Sequence, residues 1–245
     1  MGSQKKLVLL DLDNTLWDFD ANAQEALAEL FHRHQLHLRT QFSVHEFIST
    51  YQEINQQYWK KYEEGSIAKE QLRTQRFTDT FIRAGIPQTE HPESFWDEYL
   101  SICPMMTRLI PGAIQFLASL HADFNLGLIT NGFDKTQNLK ITHSGIAPHI
   151  DFMITSETFK MAKPHKEIFL QGLVLGNSDA ADTVYLGDTW ESDILGAVNA
   201  GINVLWFNRH LLPVPQDTIS NNPHFQGTVS NLIEAEIAIR GLLEK

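Results

Sequence analysis

Only one cysteine, Cys103, occurs in the 245 residues. A lone thiol closes no internal disulfide, so the chain must hold itself together by its core, and such sparse cysteine fits a reducing compartment. The length suffices for this, since a chain of this size buries about 70–75% of its unfolded surface. Basic residues are also scarce: 19 Lys and Arg stand against 30 Asp and Glu, a formal charge of -11. That deficit argues against a nucleic-acid partner, because such surfaces depend on clustered Lys and Arg. An anionic ligand would have to be drawn in locally, by a divalent cation or by a few placed basic groups. Apolar runs approaching the ~20 residues of a membrane span are missing, as is a charged-then-apolar leader pattern. Repeats and low-complexity tracts are absent too. These absences together lead us to expect a cytoplasmic protein with no membrane association, monomeric or weakly self-associating.

What the chain does have is a series of short apolar segments. Lys6-Leu7-Val8-Leu9-Leu10 is followed by segments at 124–129, 151–154, 183–186 and 203–207, each of strand length. Helical patterns lie between them, from about Lys135 to His143, Lys166 to Leu175 and Ser192 to Ala200, each with glycine just beyond. Strands alternating with helices predict an α/β fold: a mostly parallel sheet with helices on both faces, whose strands read as apolar throughout. Residues 18–108 break this alternation and read as all-helical. Ser43-Val44-His45-Glu46 has capping-box spacing, and further helical patterns end near Gly85 and Pro104. The expected organisation is a core of residues 1–17 and 109–245 with a helical domain, 18–108, inserted into it.

In parallel sheets of this kind ligands bind beyond the carboxyl ends of the strands, and four polar clusters fall there. Asp11 and Asp13 follow the first apolar run two positions apart, a spacing that puts both carboxylates on one face of an extended chain. Asp and Asn also terminate strands as turn formers, so this pair alone is suggestive and no more. Thr130-Asn131-Gly132 follows the second run. By itself it reads best as a turn, although a hydroxyl, an amide and a glycine also make an anion cradle. Lys163-Pro164 lies in the next strand-to-helix connection, from which an ammonium can reach the same crevice. Asp188 ends the fourth run, and Asp193 follows one helical turn later, where an acid in a first helical turn is the plain alternative. Carboxylates converging on one crevice repel one another unless a cation sits among them, and an all-oxygen set suits Mg2+.

With these residues the chain resembles a phosphatase of the haloacid dehalogenase superfamily, since all four motifs are present in order. The resemblance covers roughly Lys6 to Leu16 and Leu109 to Asn208, and residues 18–108 correspond in position to the family's α-helical cap. It implies a Rossmann-like core and a phosphomonoester hydrolase that works through an aspartyl phosphate. On that basis Asp11 is the nucleophile and Asp13 the general acid and then base. Thr130, Asn131, Gly132 and Lys163 bind the phosphoryl group. Asp11, the main-chain carbonyl of Asp13 and Asp188 hold Mg2+, with Asp193 behind them. The second aspartate favours phosphoryl transfer over dehalogenation. Asp11 to Trp17, the Trp59, Tyr62 and Gly65 pattern and Arg76-Phe77 look most like the bacterial pyrimidine 5'-nucleotidases, implying a nucleoside monophosphate as the small phosphorylated substrate. A sugar-phosphate or sugar-acid phosphatase is the alternative; a phosphomutase and a non-catalytic binding protein stand behind it.

The specificity candidates are Trp17, Trp59 and Arg76. Aromatic residues at helical spacing are more often core than stacking platforms, and an arginine is more often solvated or salt-bridged than bound to substrate. His32, His34 and His37 do not share a helix face and are not expected to ligate metal. Cys103 is expected to pack.

Overall fold

The computed structural model describes residues 5–216 and 219–244. The chain divides into two compact units, Met1–Phe19 with Thr107–Lys245, and Asp20–Met106.

The first unit is built on a six-stranded sheet. Its strands are β1 (Leu7–Leu10), β2 (Asn125–Thr130), β3 (Phe152–Thr155), β4 (Thr183–Gly187), β5 (Asn203–Phe207) and β6 (Phe225–Val229), in the order β3-β2-β1-β4-β5-β6. Every neighbouring pair is parallel. β1 therefore runs down the middle, with Leu9 opposite Gly127 on one side and Tyr185 on the other. All four β1 residues are fully buried. The reason is two-sided cover: Leu7 and Leu9 pack with Ile168, Phe169, Ala197 and Val198 on one face, while α5 (Ala113–Asp123) and α10 (Leu232–Leu243) lie against the sheet elsewhere. A strand buried on both faces has no reason to alternate. The order reverses at β1, and that reversal opens a crevice at the carboxyl ends of β1 and β4.

Two stretches depart from the sequence expectations. β6 was not foreseen, because Phe-Gln-Gly-Thr-Val at the sheet edge has only a half-buried, weakly apolar pattern. The expected helix at 192–200 is instead a wide π-type turn over Trp190–Ile194 followed by a short helix, α9 (Leu195–Asn199). In that turn Ile194 N reaches back five residues to Thr189 O at 3.4 Å. A one-turn helix, α7 (Ser156–Phe159), follows β3, and the lysine motif of 163–164 leads into α8 (Lys166–Leu175) through a cis Lys163–Pro164 peptide.

The second unit is helical: α1 (Phe19–Arg33, entering from Phe19), α2 (Val44–Glu63), α3 (Lys69–Arg83) and α4 (Phe95–Ile102). Ser43 and Glu46 close the capping box at the start of α2. Three of these helices each supply an aromatic pair at i and i+4: Phe47 and Tyr51, Phe77 and Phe81, Phe95 and Tyr99. All six rings are buried. Their centroids lie close, Phe81 to Phe95 at 5.0 Å and Tyr51 to Phe77 at 5.1 Å. Among the described residues no helix is long and apolar enough to cross a membrane.

Candidate active site

Asp11 lies one residue past β1, its N–H still donating to Leu186 O at 2.9 Å, so the sheet fixes its backbone. Beyond it the chain folds back on itself. Leu16 N and Trp17 N both donate to Leu12 O, Asn14 N donates to Trp17 O, and Asn14 takes a left-handed φ of 61°. Asn tolerates that conformation better than most residues. Asp13 is thus carried by a tight turn and not by the strand.

Asp11 and Asp193 share one cation. Lys163 Nζ donates to Asp11 Oδ1 and to Asp193 Oδ1, both at 2.6 Å, and to the Tyr185 hydroxyl at 3.2 Å. Tyr185 in turn donates to Asp193 Oδ1 at 2.7 Å, and Thr189 N donates to Asp193 Oδ2 at 3.0 Å. Asp193 is therefore fully engaged inside the protein. The Lys163 backbone is set by Asn131, whose side chain accepts from Lys163 N at 2.7 Å and donates to Lys163 O at 3.0 Å. Asn131 thus uses its amide to aim the lysine.

Two glycines make room for these contacts. A Cβ on Gly187, the last residue of β4, would sit 2.5 Å from Asp193 Cγ, and one on Gly132 would sit 2.4 Å from Gln137 Cδ. Both distances are far inside van der Waals contact, so only glycine leaves Asp193 and Gln137 where they are. Thr130 Oγ1 accepts from Gln137 Nε2 at 2.6 Å and from Gly132 N at 3.1 Å. With both lone pairs taken, the hydroxyl has its own proton left to donate.

Carboxylate oxygens of Asp11, Asp188 and Asp193 lie within 4.8 Å of one another. One lysine does not balance them. Burial, with the charges of Asp193 and Asp13, pushes Asp11 up to about 7 despite the Lys163 ammonium. Loss of surrounding water, then the charges of Asp11 and Asp193, drive Asp188 well above the usual carboxylate range. Burial opposes the charged form of Lys163, but Asp11 and Asp193 outweigh it and hold its pKa above the ordinary lysine value. Asp188 Oδ1 accepts from the hydroxyls of Thr189 at 3.4 Å and Thr15 at 3.5 Å, while Trp206 Nε1 anchors its main-chain oxygen at 2.7 Å. A hard, oxygen-seeking divalent cation fits this donor set, since it would supply the missing positive charge.

The family described as "Hydrolase: haloacid dehalogenase-like hydrolase" matches residues 5–201. The chain belongs to this family. This hydrolase is 32% identical over 230 residues to pyrimidine 5'-nucleotidase YjjG of Escherichia coli, covering 94% of this chain and 95% of that one. It is 29% identical over 209 residues to pyrimidine 5'-nucleotidase PynA of Streptococcus pneumoniae, covering 84% and 85%. The solved structure of the putative HAD-hydrolase YfnB of Bacillus subtilis, bound to magnesium, shares the fold at 24% identity. Its TM-score is 0.82, over 99% of this chain and 100% of that one.

The first unit of the hydrolase brings Asp11, Asp13, Thr130, Asn131, Gly132, Lys163, Asp188 and Asp193 to the ends of β1, β2 and β4. The three specificity candidates are placed differently. Trp17 is fully buried, with Lys140 Nζ 4.6 Å above its ring, so the face expected for a base is covered by an ammonium. Trp59 is half-buried in the second unit, edge-on to Tyr62 at 5.9 Å. Arg76 is 5% exposed and so not solvated, and among the described residues it makes no salt bridge. Its Nη1 donates to Asn55 Oδ1 at 2.6 Å, and its guanidinium lies 5.1 Å from the Phe77 ring and 5.7 Å from those of Tyr51 and Tyr99. The aromatic interior of the helical unit is built around it.

Four residues of the site were missed in the sequence: Thr15, Tyr185, Gln137 and Lys140. Gln137, Lys140 and Ile141 form the buried stripe of α6 (Asp134–His143). A glutamine and a lysine where apolar residues are expected were the available signal.

Proposed function

We propose that this hydrolase is a phosphomonoesterase that uses Asp11 as nucleophile and Asp13 as acid and base, and that its substrates are pyrimidine nucleoside 5'-monophosphates. The observation that carries the reading is that the two neighbouring aspartates are held by separate cations, Asp11 by Lys163 and Asp13 by Lys140. Two carboxylates so held can do different work at one phosphorus. The names of the two bacterial relatives support the nucleotide as substrate.

An Asp11 oxygen attacks phosphorus and the P–O ester bond breaks. The electron pair goes to the departing oxygen, which takes a proton from Asp13. Water then attacks the aspartyl phosphate and gives a proton to Asp13. The bond to Asp11 breaks, the carboxylate is restored and inorganic phosphate leaves. Lys163 and the Thr130 hydroxyl meet the phosphoryl oxygens, whose charge must be held through both in-line displacements. Mg2+ would be held by Asp11, Asp188 and the main-chain carbonyl of Asp13, with Asp193 supporting, and when bound it supplies further neutralisation of phosphoryl charge.

Phosphate release from nucleoside monophosphates, sugar phosphates and p-nitrophenyl phosphate, with Mg2+ and with chelator, tests this. Metal-dependent turnover with the highest kcat/KM on a pyrimidine nucleotide is expected. A sugar phosphate ahead of every nucleotide would move the assignment to the sugar-phosphate phosphatases, and no release from any ester by folded protein would overturn it.

A further inference from the structure

Asp13 does not stand in its turn unsupported. Lys140 Nζ donates to its Oδ1 at 2.6 Å and its Oδ2 at 2.9 Å, and Gln137 Nε2 donates to Oδ2 at 2.9 Å. Both donors come from the inward stripe of α6, three residues apart and so on one face. Lys140 is 4% exposed and Gln137 fully buried, whereas the Asp13 side chain retains 30% of its surface. The supporting groups are locked, and the carboxylate they support keeps part of its surface open. Lys140 is itself steadied from behind, 4.6 Å from the ring of Trp17 and 5.5 Å from that of Phe19, at cation–π distance.

Gln137 makes a second contact that ties this support to the phosphoryl cradle. The same Nε2 that donates to Asp13 also donates to Thr130 Oγ1 at 2.6 Å. One nitrogen therefore sets the gap between the group that meets a phosphoryl oxygen and the group that meets the departing oxygen of the same ester. Gly132 is what lets it stand there, because any side chain at 132 would overlap Gln137.

We propose that Lys140 and Gln137 are positioning residues for the acid step, holding the Asp13 carboxyl at a fixed distance from the phosphoryl cradle, with Trp17 as the backing of Lys140. The inference rests on the phosphomonoesterase reading of the site and assigns residues to it that lie outside the four motifs. It gives Trp17 work that requires burial, in place of contact with a base.

Leaving-group dependence tests it. Bond breaking to a poor leaving group needs the proton from Asp13, whereas p-nitrophenolate departs with little help. General acid catalysis is typically worth about 100-fold or more. In Lys140→Met, kcat/KM for an alkyl or nucleoside phosphate is expected to fall by about 100-fold, and that for p-nitrophenyl phosphate by less than about 10-fold. Asp13→Asn measured in parallel should show the same pattern more strongly. Equal losses on both ester classes, or no loss, in Lys140→Met overturn the positioning role. Should Lys140→Met melt below the assay temperature, Gln137→Met carries the same expectation and the same refuting outcome. The underlying reading fails separately, if the wild type releases phosphate from no ester or if Asp13→Asn shows no leaving-group dependence.

Discussion

Lys163 donates to Asp11 at 2.6 Å across 152 positions of sequence, with both side chains almost fully withdrawn from water. The ammonium also holds Asp193 at 2.6 Å, so one cation serves two buried carboxylates. Removing a single partner from such a group leaves charge without compensation, which is far costlier than removing the group together.

Lys163→Met should therefore be both inactive and destabilised, by about 3–5 kcal/mol in the metal-free protein. Denaturant unfolding with and without Mg2+ measures this. The variant's loss should shrink in Mg2+, since the ion replaces part of the missing positive charge. A stability unchanged from wild type would mean that Lys163 does not balance the cluster.

Asp11→Asn removes the nucleophile and one of the repelling charges while keeping the shape. Turnover should disappear, with a near-native circular dichroism spectrum. Phosphate release within about 10-fold of wild type would exclude Asp11 as the attacking group, because removing a catalytic group of this kind costs orders of magnitude.

Asp11 makes stability depend on pH. Its pKa is 3.8 in the unfolded reference and about 7 in the folded, metal-free state, so between those values the folded chain binds more protons. Its contribution is complete below about pH 4 and is lost as pH rises through 7, the opposite of an ordinary salt-bridged aspartate. Asp188, also shifted upward, acts in the same direction. The melting temperature gained on adding Mg2+ should accordingly be larger at pH 8 than at pH 5. A gain that is equal or smaller at pH 8 contradicts the electrostatic account of the cluster.

Gly187→Ala places a methyl group 2.5 Å from Asp193 Cγ. Asp193 must swing away, taking its support from Lys163 and Tyr185. Overpacking of this kind costs about 1–3 kcal/mol. Activity should fall much further than stability does, as read by kcat alongside thermal melting. An active Gly187→Ala would show that the position of Asp193 is not needed.

The strands β1 to β5, the helical stretch between the first and second of them, and the polar clusters at strand ends were all legible in the sequence. Each is written in a local window: a continuous apolar run for a strand covered on both faces, a capping box at Ser43 and Glu46, an acid where an apolar run stops. β6 and the π-type turn at Trp190 were not, because an edge strand has little buried surface to mark it and a turn that widens by one residue keeps its helical composition. Nor could the sequence say which cation belongs to which aspartate. Lys140 meets Asp13 across 127 positions because β1 and β2 are neighbours and α6 follows β2, a consequence of strand order that no local window contains. The same holds for Trp17 and Arg76. As residue types both suit a substrate; tertiary packing set the first beneath an ammonium and the second among aromatic rings, since the energy of burying them depends on neighbours brought together only by the fold.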